Sequence, residues 1–446
     1  MRERMDDALL AALLTVRIVG ALATSIGDCD EVFNYWEPTH HVVFGGGMQT
    51  WEYAPRFALR SYVYVLLHAA PASLLAAAAR ALGYGAQQKL VAFYGVRVLL
   101  ALACAFCEHR FAGAVRAAWS ARCGRVTLAL LLCSSGMYHA APAMLPSTFV
   151  MLCTMLSAAS WMRGAFAPAV AAGVVGVLCG WPYVGLMFVP LFIESLATRG
   201  VVRSALLGAL PLALFGALEL GVNTLAYGKP TLPALNAVAY NVFGGEERSS
   251  ELYGVESWTF YFRNALLQFN GVFALALLQP LVAALRLVGC ASSAPLAEGG
   301  AAAARRAVYA SPFLIWFAFF TLQPHKEERF LVPAYPHLCL AATSVLLSLS
   351  EVGAAIGGAV VAKMRSSARV SAARSRSVLF FWTAEAAAAA ATFRANPAHN
   401  LTRSTPTIIY LTDANCDAAA RRATRSHSAQ LRRAPPSPHR ARTPCT

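Results

Sequence analysis

Apolar residues along this chain gather in long runs broken by short polar connections. A helix needs about 20 apolar residues to cross the hydrocarbon of a bilayer, and fewer where it is broken or half-buried. The runs that approach this length are 8–26, 90–107, 126–140, 147–162, 168–180, 183–197, 203–222, 263–288, 308–323 and 334–352, with a weak eleventh at 377–393. The run 57–82 is comparable, but Pro71 divides it into pieces of 14 and 11 residues, and the first piece carries Arg60 and His68. If it crossed, Arg110, Arg116, Arg122 and Arg125 would fall on the same side as the acidic loop that begins at Asp28, against the cytosolic bias of Lys and Arg. The run is therefore read as amphipathic helices lying on the membrane within one non-cytosolic loop, residues 27–89.

With that reading the basic connections share one face: Arg110 to Arg125, Arg163, Arg199 with Arg203, Arg286 with Arg305 and Arg306, and Lys363 to Arg376. The acidic and aromatic segments collect on the other, in the loop 27–89, the loop 223–262 and the turn 324–333. Composition agrees, since 57% of residues are hydrophobic and only 13% charged, where a soluble domain has roughly a quarter charged. That balance excludes a disordered chain and argues against a soluble enzyme. The expected fold is all-α and multi-pass, with residues 1–352 embedded in the membrane.

The net charge of +15 is unevenly placed. Residues 363–446 hold 14 Lys and Arg against 3 Asp and Glu, so most of the excess sits in a tail rich in Arg, Ser, Ala and Pro. Residues 353–446 are read as the weak last span followed by a solvated, disordered low-complexity tail, and no nucleic acid is assigned as a partner. The cysteines sit mostly singly in apolar runs, where they read as small packing residues rather than as a disulfide framework or redox pair.

Chemistry is sought where ionisable groups meet the membrane face. The first loop sets Asp28, Asp30, Glu31, Glu37 and Glu52 among Tyr35, Trp36, Trp51 and Tyr53. Aromatic faces stack on pyranose rings, and a carboxylate can orient a hydroxyl and take its proton. The same composition also fits an acidic interfacial loop with an aromatic belt. Asp28-Cys29-Asp30 has the spacing of a metal-binding DxD, but it lies at the end of a span, away from cytosolic nucleotide sugars, and no metal or other cofactor is assigned. A second cluster places His325, Lys326, Glu327, Glu328 and Arg329 between apolar segments. Burying such groups costs on the order of 3 kcal/mol each near the bilayer centre, which points to a ligand. Arg329 can hold phosphate in a bidentate fork and Lys326 as a point charge. A solvated turn with self-paired charges is the competing reading. The third loop, with Tyr240, Asn241, Glu246, Glu247, Tyr253, Glu256 and Trp258, offers a polar roof or an ordinary interfacial loop. Gly45-Gly46-Gly47 reads as a flexible turn rather than a phosphate loop.

At these residues the chain resembles glycosyltransferase family 22, the dolichyl-phosphate-mannose-dependent mannosyltransferases, and most closely its alpha-1,2 branch in asparagine-linked glycosylation. The resemblance is carried by DCDE from Asp28, FNYWEPTHH, QTWEYAPRFALRSY, GMYHAAPAMLPSTF from Gly136, GWP from Gly180, YNVFGG from Tyr240, LYGVESWTFYF from Leu252 and HKEERFLVPAYP from His325. It covers roughly residues 8–352. It implies the glycosyltransferase C fold with about 10 or 11 spans, residence in the endoplasmic reticulum membrane, and a site facing the lumen. It implies dolichyl-phosphate-mannose as donor, a dolichyl-diphosphate-linked oligosaccharide as acceptor, and an inverting displacement.

On that resemblance Asp30 is the general base and Glu31 orients it, with the opposite assignment left open. His325, Lys326 and Arg329 are assigned to the donor phosphate. Trp36, Glu37, Trp51, Tyr53 and Asn241 are assigned to sugar and acceptor. After about residue 353 the chain departs from the family, which continues through further membrane segments into a luminal domain. Two alternatives stand beside this reading: another lipid-phosphate-sugar transferase of the superfamily, acting in anchor synthesis or on glucose, and a non-enzymatic lipid transporter, for which internally related halves would be expected.

Overall fold

A computed structural model describes residues 2–243, 254–290 and 297–351. All of them fall in the first of the chain's two units, Met1–Ala359; the second, Val360–Thr446, lies wholly outside the described residues. The expected span at 377–393 and the expected disordered tail therefore lie outside them, as do Glu246, Glu247, Glu251 and Tyr253 of the third loop.

Among the described residues the architecture is helical throughout, without strands. The apolar runs become α1 (Arg2–Ala23), α3 (Tyr62–Ala81), α4 (Gln88–Ala118), α5 (Ala121–Cys133), α7 (Pro146–Met162), α8 (Phe166–Val175), α9 (Val189–Arg199), α10 (Val201–Tyr227), α14 (Gln279–Cys290), α15 (Ala297–Leu322) and α16 (335–351). Shorter helices lie between them: α2 (Glu37–Phe44), α6 (Ser135–Ala140), α11 (Pro233–Phe243), α12 (Phe260–Phe269) and α13 (Gly271–Leu277). The segments Tyr62–Ala81, Gly85–Ala118, Val201–Tyr227 and Glu328–Glu351 are long and apolar enough to cross a membrane. This is a multi-pass, all-α membrane protein.

Several expected boundaries move for local reasons. Pro71 does not divide the run 57–82; it sits inside one continuous helix of 20 residues. Ser61 caps its start by accepting from the amides of Val63 and Tyr64 at 3.0 and 3.4 Å, and the neighbours of α3 tolerate the missing proline donor. The run 126–140 breaks at Ser134, whose backbone is extended and whose hydroxyl turns back to the carbonyl of Leu130 at 2.6 Å. The run 263–288 is three helices, interrupted where Asn270 takes a positive φ of 50°.

Polar pairs fix how α1 and α4 lie together. Arg116 reaches Asp6 at 2.7 Å near one end, Arg17 grips Glu108 through two hydrogen bonds of 2.9 and 2.6 Å in the middle, and Arg97 donates to the carbonyls of Ala21 and Thr24 at 2.8 Å at the other end. The two helices are therefore antiparallel, and the basic connection after α4 lies at the end of α1 away from Asp28. Arg17 and Glu108 are fully buried. Removing one partner from such a pair leaves an uncompensated charge in a dry interior.

The core is centred on α7, where Val150, Met151 and Met155 have no exposure. In lipid, helices gain little by burying apolar surface against each other, so close approach through small residues matters more. Ser157 of α7 donates to the carbonyl of Ala169 on α8 at 2.8 Å, and a Cβ at Gly176 would stand 3.2 Å from that of Cys153. The GWP motif has the same origin: a Cβ at Gly180 would lie 2.5 Å from Val150 Cγ1.

Candidate functional site

The first loop leaves α1 at a point fixed by Arg97 and turns at once. The amide of Asp30 donates to Asp28 Oδ1 at 2.8 Å, a local turn that presents both carboxylates on one side. The chain then winds through a π-helical turn, Glu31–Trp36, and into α2. Gly45 ends α2 with φ 75° and its amide on the carbonyl of His41. A Cβ at Gly47 would meet the carbonyl of Glu37 at 2.6 Å, so the triple glycine makes a close backbone packing turn rather than a slack one.

Arg329 comes into this loop from about three hundred residues away. Its Nη1 lies 2.8 Å from Asp28 Oδ1, and its Nη2 lies 2.6 Å from Asp30 Oδ2 and 2.5 Å from Glu327 Oε2. Arg60 also approaches Asp30, with Nη2 3.8 Å from the same Oδ2. Its guanidinium is held by both oxygens of Glu52, at 2.8 and 2.9 Å, and donates to the Tyr35 hydroxyl at 2.5 Å. The result is a partly exposed cluster of four carboxylates and two guanidinium groups, with the Asp30 side chain about a quarter exposed. Asp28, Cys29 and Asp30 also bring possible metal-ligand atoms within 4.8 Å of one another, but Arg329 already occupies the common side of the two carboxylates.

Asp30 and Glu31 are adjacent yet differ in surroundings. Glu31 is buried and accepts from the Met144 amide at 3.0 Å and from Trp36 Nε1 at 3.1 Å. Burial raises its pKa above the ordinary carboxylate range, the two donors and the charge of Arg97 pull the other way, and Asp28 adds to the rise. Glu31 thus ties the loop to the segment before α7, whereas Asp30 faces the open cluster.

The second cluster divides similarly. Lys326 is buried, and its ammonium donates to the carbonyl of Glu256 at 2.9 Å and to that of Gln323. Burial lowers its pKa, against the opposing charge of Glu256. The Glu256 amide returns a bond to the carbonyl of Pro324 at 3.0 Å. His325 bridges Glu327 at 2.9 Å and the carbonyl of Gly254 at 3.0 Å. Lys326 and His325 therefore latch the end of the third loop onto the turn, and Arg329 is the cation of the three that reaches Asp28 and Asp30. Beneath the turn, Phe330 packs on Trp181 at 5.1 Å, and its carbonyl accepts from Trp316 Nε1 at 2.6 Å.

The aromatic and polar candidates scatter. Trp36 stacks on Phe93 at 4.6 Å, and Tyr53 is buried with its hydroxyl on the carbonyl of Asn34 at 2.6 Å, so both are packed into the loop's own framework. Trp51 is 44% exposed and stands against Phe57 and Tyr240 at 5.0 and 5.7 Å. Glu37 accepts from the Met48 amide at 2.9 Å, and the Asn241 side-chain amide donates to the carbonyl of Ala237 in its own helix at 2.8 Å. The sequence marks Glu52 among the carboxylates of the first loop but assigns its partner Arg60 no place in the site. The signal lies in the spacing of Glu52 and Arg60, eight residues apart and ion-paired, whereas by hydropathy Arg60 reads only as a charge in an apolar run.

The model of the Alg9-like mannosyltransferase family matches residues 8–424 of this chain. The chain belongs to that family. An alpha-1,2-mannosyltransferase ALG9 of Mus musculus is 39% identical over 350 residues, covering 76% of this chain and 54% of the relative. One of Arabidopsis thaliana is 38% identical over 341 residues, covering 76% and 56%. A GPI mannosyltransferase 3 of Candida albicans is 25% identical over 340 residues, covering 74% and 62%. The chain thus spans about half the length of the curated relatives it matches. A solved structure of ArnT from Cupriavidus metallidurans bound to undecaprenyl phosphate aligns at a TM-score of 0.47 and 16% identity, covering 79% of this chain and 63% of its own.

Proposed function

We propose that this member of the Alg9-like family transfers mannose from dolichyl-phosphate-mannose to a dolichyl-diphosphate-linked oligosaccharide, forming an alpha-1,2 linkage at the luminal face of the endoplasmic reticulum membrane. The observation that carries the reading is the meeting of Asp28 and Asp30 with Arg329 at 2.8 and 2.6 Å, which sets a carboxylate beside a phosphate-binding guanidinium at the end of α1. Higher identity to the ALG9 relatives than to the anchor-pathway enzyme, 39% against 25%, supports the asparagine-linked branch.

In this mechanism Arg329 turns from the carboxylates to the donor phosphate, a bidentate partner of the same charge and similar geometry. Asp30 accepts the proton of the acceptor mannose 2-hydroxyl as that oxygen attacks the anomeric carbon. The bond from that carbon to the phosphate oxygen breaks, and its electron pair leaves with dolichyl phosphate, which needs little protonation as a leaving group. Attack from the opposite face turns a beta-linked donor into an alpha product. Glu31 holds the loop from beneath, Lys326 and His325 hold the third loop in register, and Trp51 supplies an exposed aromatic face for a sugar. No metal is assigned a role.

The test is donor-dependent mannose transfer by this chain in microsomes that lack the native enzyme. The product is expected to lose the added mannose to an alpha-1,2-specific mannosidase. A product resistant to that enzyme would falsify the linkage, and transfer of glucose in place of mannose would move the chain to another branch of the superfamily.

A further inference from the structure

Helix α10 turns leucines outward along most of its length, with Leu206, Leu210, Leu214 and Leu218 all exposed. Against that background Glu219 and Asn223 are buried, at 1% and 0% exposure. Among the described residues no cationic side chain is paired with Glu219. An ionisable group placed in an apolar helix is costly, and its neighbours show what it does.

Its two oxygens accept from the Ser61 hydroxyl at 2.9 and 2.8 Å, and one also accepts from Asn223 Nδ2 at 2.8 Å. The Cys179 thiol bonds the same carboxyl. Asn223 Oδ1 takes the Tyr62 amide at 2.8 Å, and the Tyr227 hydroxyl donates to the carbonyl of Arg60 at 2.7 Å. Three side chains of α10, four residues apart and so on one helix face, thus fasten three consecutive residues, Arg60, Ser61 and Tyr62. The approach to them is constrained as well. Ala58 is fully buried with φ 45°, a conformation unusual for a residue with a Cβ, and its carbonyl accepts from Asn236 Nδ2 at 3.1 Å. This anchoring serves one partly buried group, the guanidinium of Arg60, whose Nη2 lies 3.8 Å from Asp30 Oδ2, the same oxygen that Arg329 reaches.

We propose that Arg60, anchored by Glu219, Asn223 and Tyr227 of α10, is a positioning residue that keeps Asp30 oriented toward the acceptor hydroxyl while Arg329 is engaged by the donor phosphate. The inference rests on the mannosyl transfer proposed above. Arg329 holds Asp30 at 2.6 Å but is also the cation assigned to the phosphate, so it cannot serve both at full strength. Arg60, whose guanidinium is fixed by Glu52 and Tyr35 and whose backbone is fixed by α10, remains. Glu219 never touches substrate in this scheme; it acts through Ser61 and Arg60.

The experiment is steady-state mannose transfer by the full chain in microsomes lacking the native enzyme, with each variant normalised to its amount in the membrane. Arg60→Gln should lower kcat by about a hundredfold, the scale of a misplaced catalytic group, with the KM for dolichyl-phosphate-mannose within about twofold. Arg329→Lys should instead raise that KM. Glu219→Leu should lower kcat about tenfold, Ser61→Ala less, and Glu219→Gln, which still accepts from Ser61, should recover most of the rate. The Arg60→Gln and Glu219→Leu changes together should be no worse than Arg60→Gln alone, since residues acting through one contact are not additive. Multiplying losses, or a rise in donor KM on Arg60→Gln equal to that of Arg329→Lys, would overturn the proposal while leaving the transfer reaction intact. An unmodified chain that transfers no mannose would overturn the functional reading on which it rests.

Discussion

Asp30 and Glu31 show how two neighbouring carboxylates acquire different work from their surroundings. The sequence makes them equivalent candidates for the base, and three-dimensional packing separates them, because the Met144 amide that occupies Glu31 comes from 113 residues away and joins Trp36 Nε1 of the same π-helical turn. A testable consequence concerns pH. Burial raises the Glu31 pKa in the folded chain, so its contribution to stability is complete below the ordinary carboxylate value and is lost as pH rises through the raised one. Glu31→Gln keeps an acceptor oxygen and removes the titration. Thermal denaturation in detergent should show the variant gaining on the native chain as pH rises from 4 to 7, with the difference smallest at the acid end; an advantage that grows toward low pH would contradict the account. Lys326 is similarly reassigned by geometry. Its charge suggested phosphate, but its donors go to the carbonyls of Glu256 and Gln323. Lys326→Met should therefore expose the peptide bonds near Gly254 to limited proteolysis more than it changes donor KM. A donor KM raised as much as by Arg329→Lys would restore the phosphate role.

The helices were legible from the sequence wherever apolar runs were long and unbroken, as for α4, α7 and α10. They were misjudged where one residue decides continuity. Pro71 looked like a break and is not, because a proline in a packed helix loses one hydrogen bond that neighbouring groups can offset. Ser134 and Asn270 looked innocuous and end helices, one through an extended backbone and the other through a positive φ. Polar residues inside apolar runs carried a signal that the reading by hydropathy passed over. Arg17 and Glu108, 91 residues apart, set the register of α1 on α4, and through Arg97 that register places Asp28 and Asp30. Glu108→Ala should cost about 3–5 kcal/mol of stability, the range for breaking a buried ion pair. Replacing both partners, Arg17→Met with Glu108→Leu, should recover most of it. Equal losses from the single and double changes, measured by denaturant unfolding in mixed micelles, would show that the pair does not act as a unit.

At the scale of the molecule, the motifs of the first loop and of the turn at His325 were visible as residues, and their convergence was an expectation that distance alone could settle. It is met through Arg329, which reaches Asp28 and Asp30, while Lys326 bonds the third loop and His325 bridges that loop and Glu327. Arg60 was not legible as part of the site, because its place depends on α10, more than 150 residues further along the chain. The matched family region, residues 8–424, contains both halves of the cluster. The central claim is that the carboxylate beside Arg329 takes the proton from the acceptor sugar. It is tested most directly by comparing Asp30→Asn with Asp28→Asn for mannose transfer in microsomes devoid of the native enzyme. The account predicts that Asp30→Asn abolishes elongation of the lipid-linked oligosaccharide while Asp28→Asn, which still accepts from Arg329, retains a readily measured fraction. Equal survival of the two variants would contradict it.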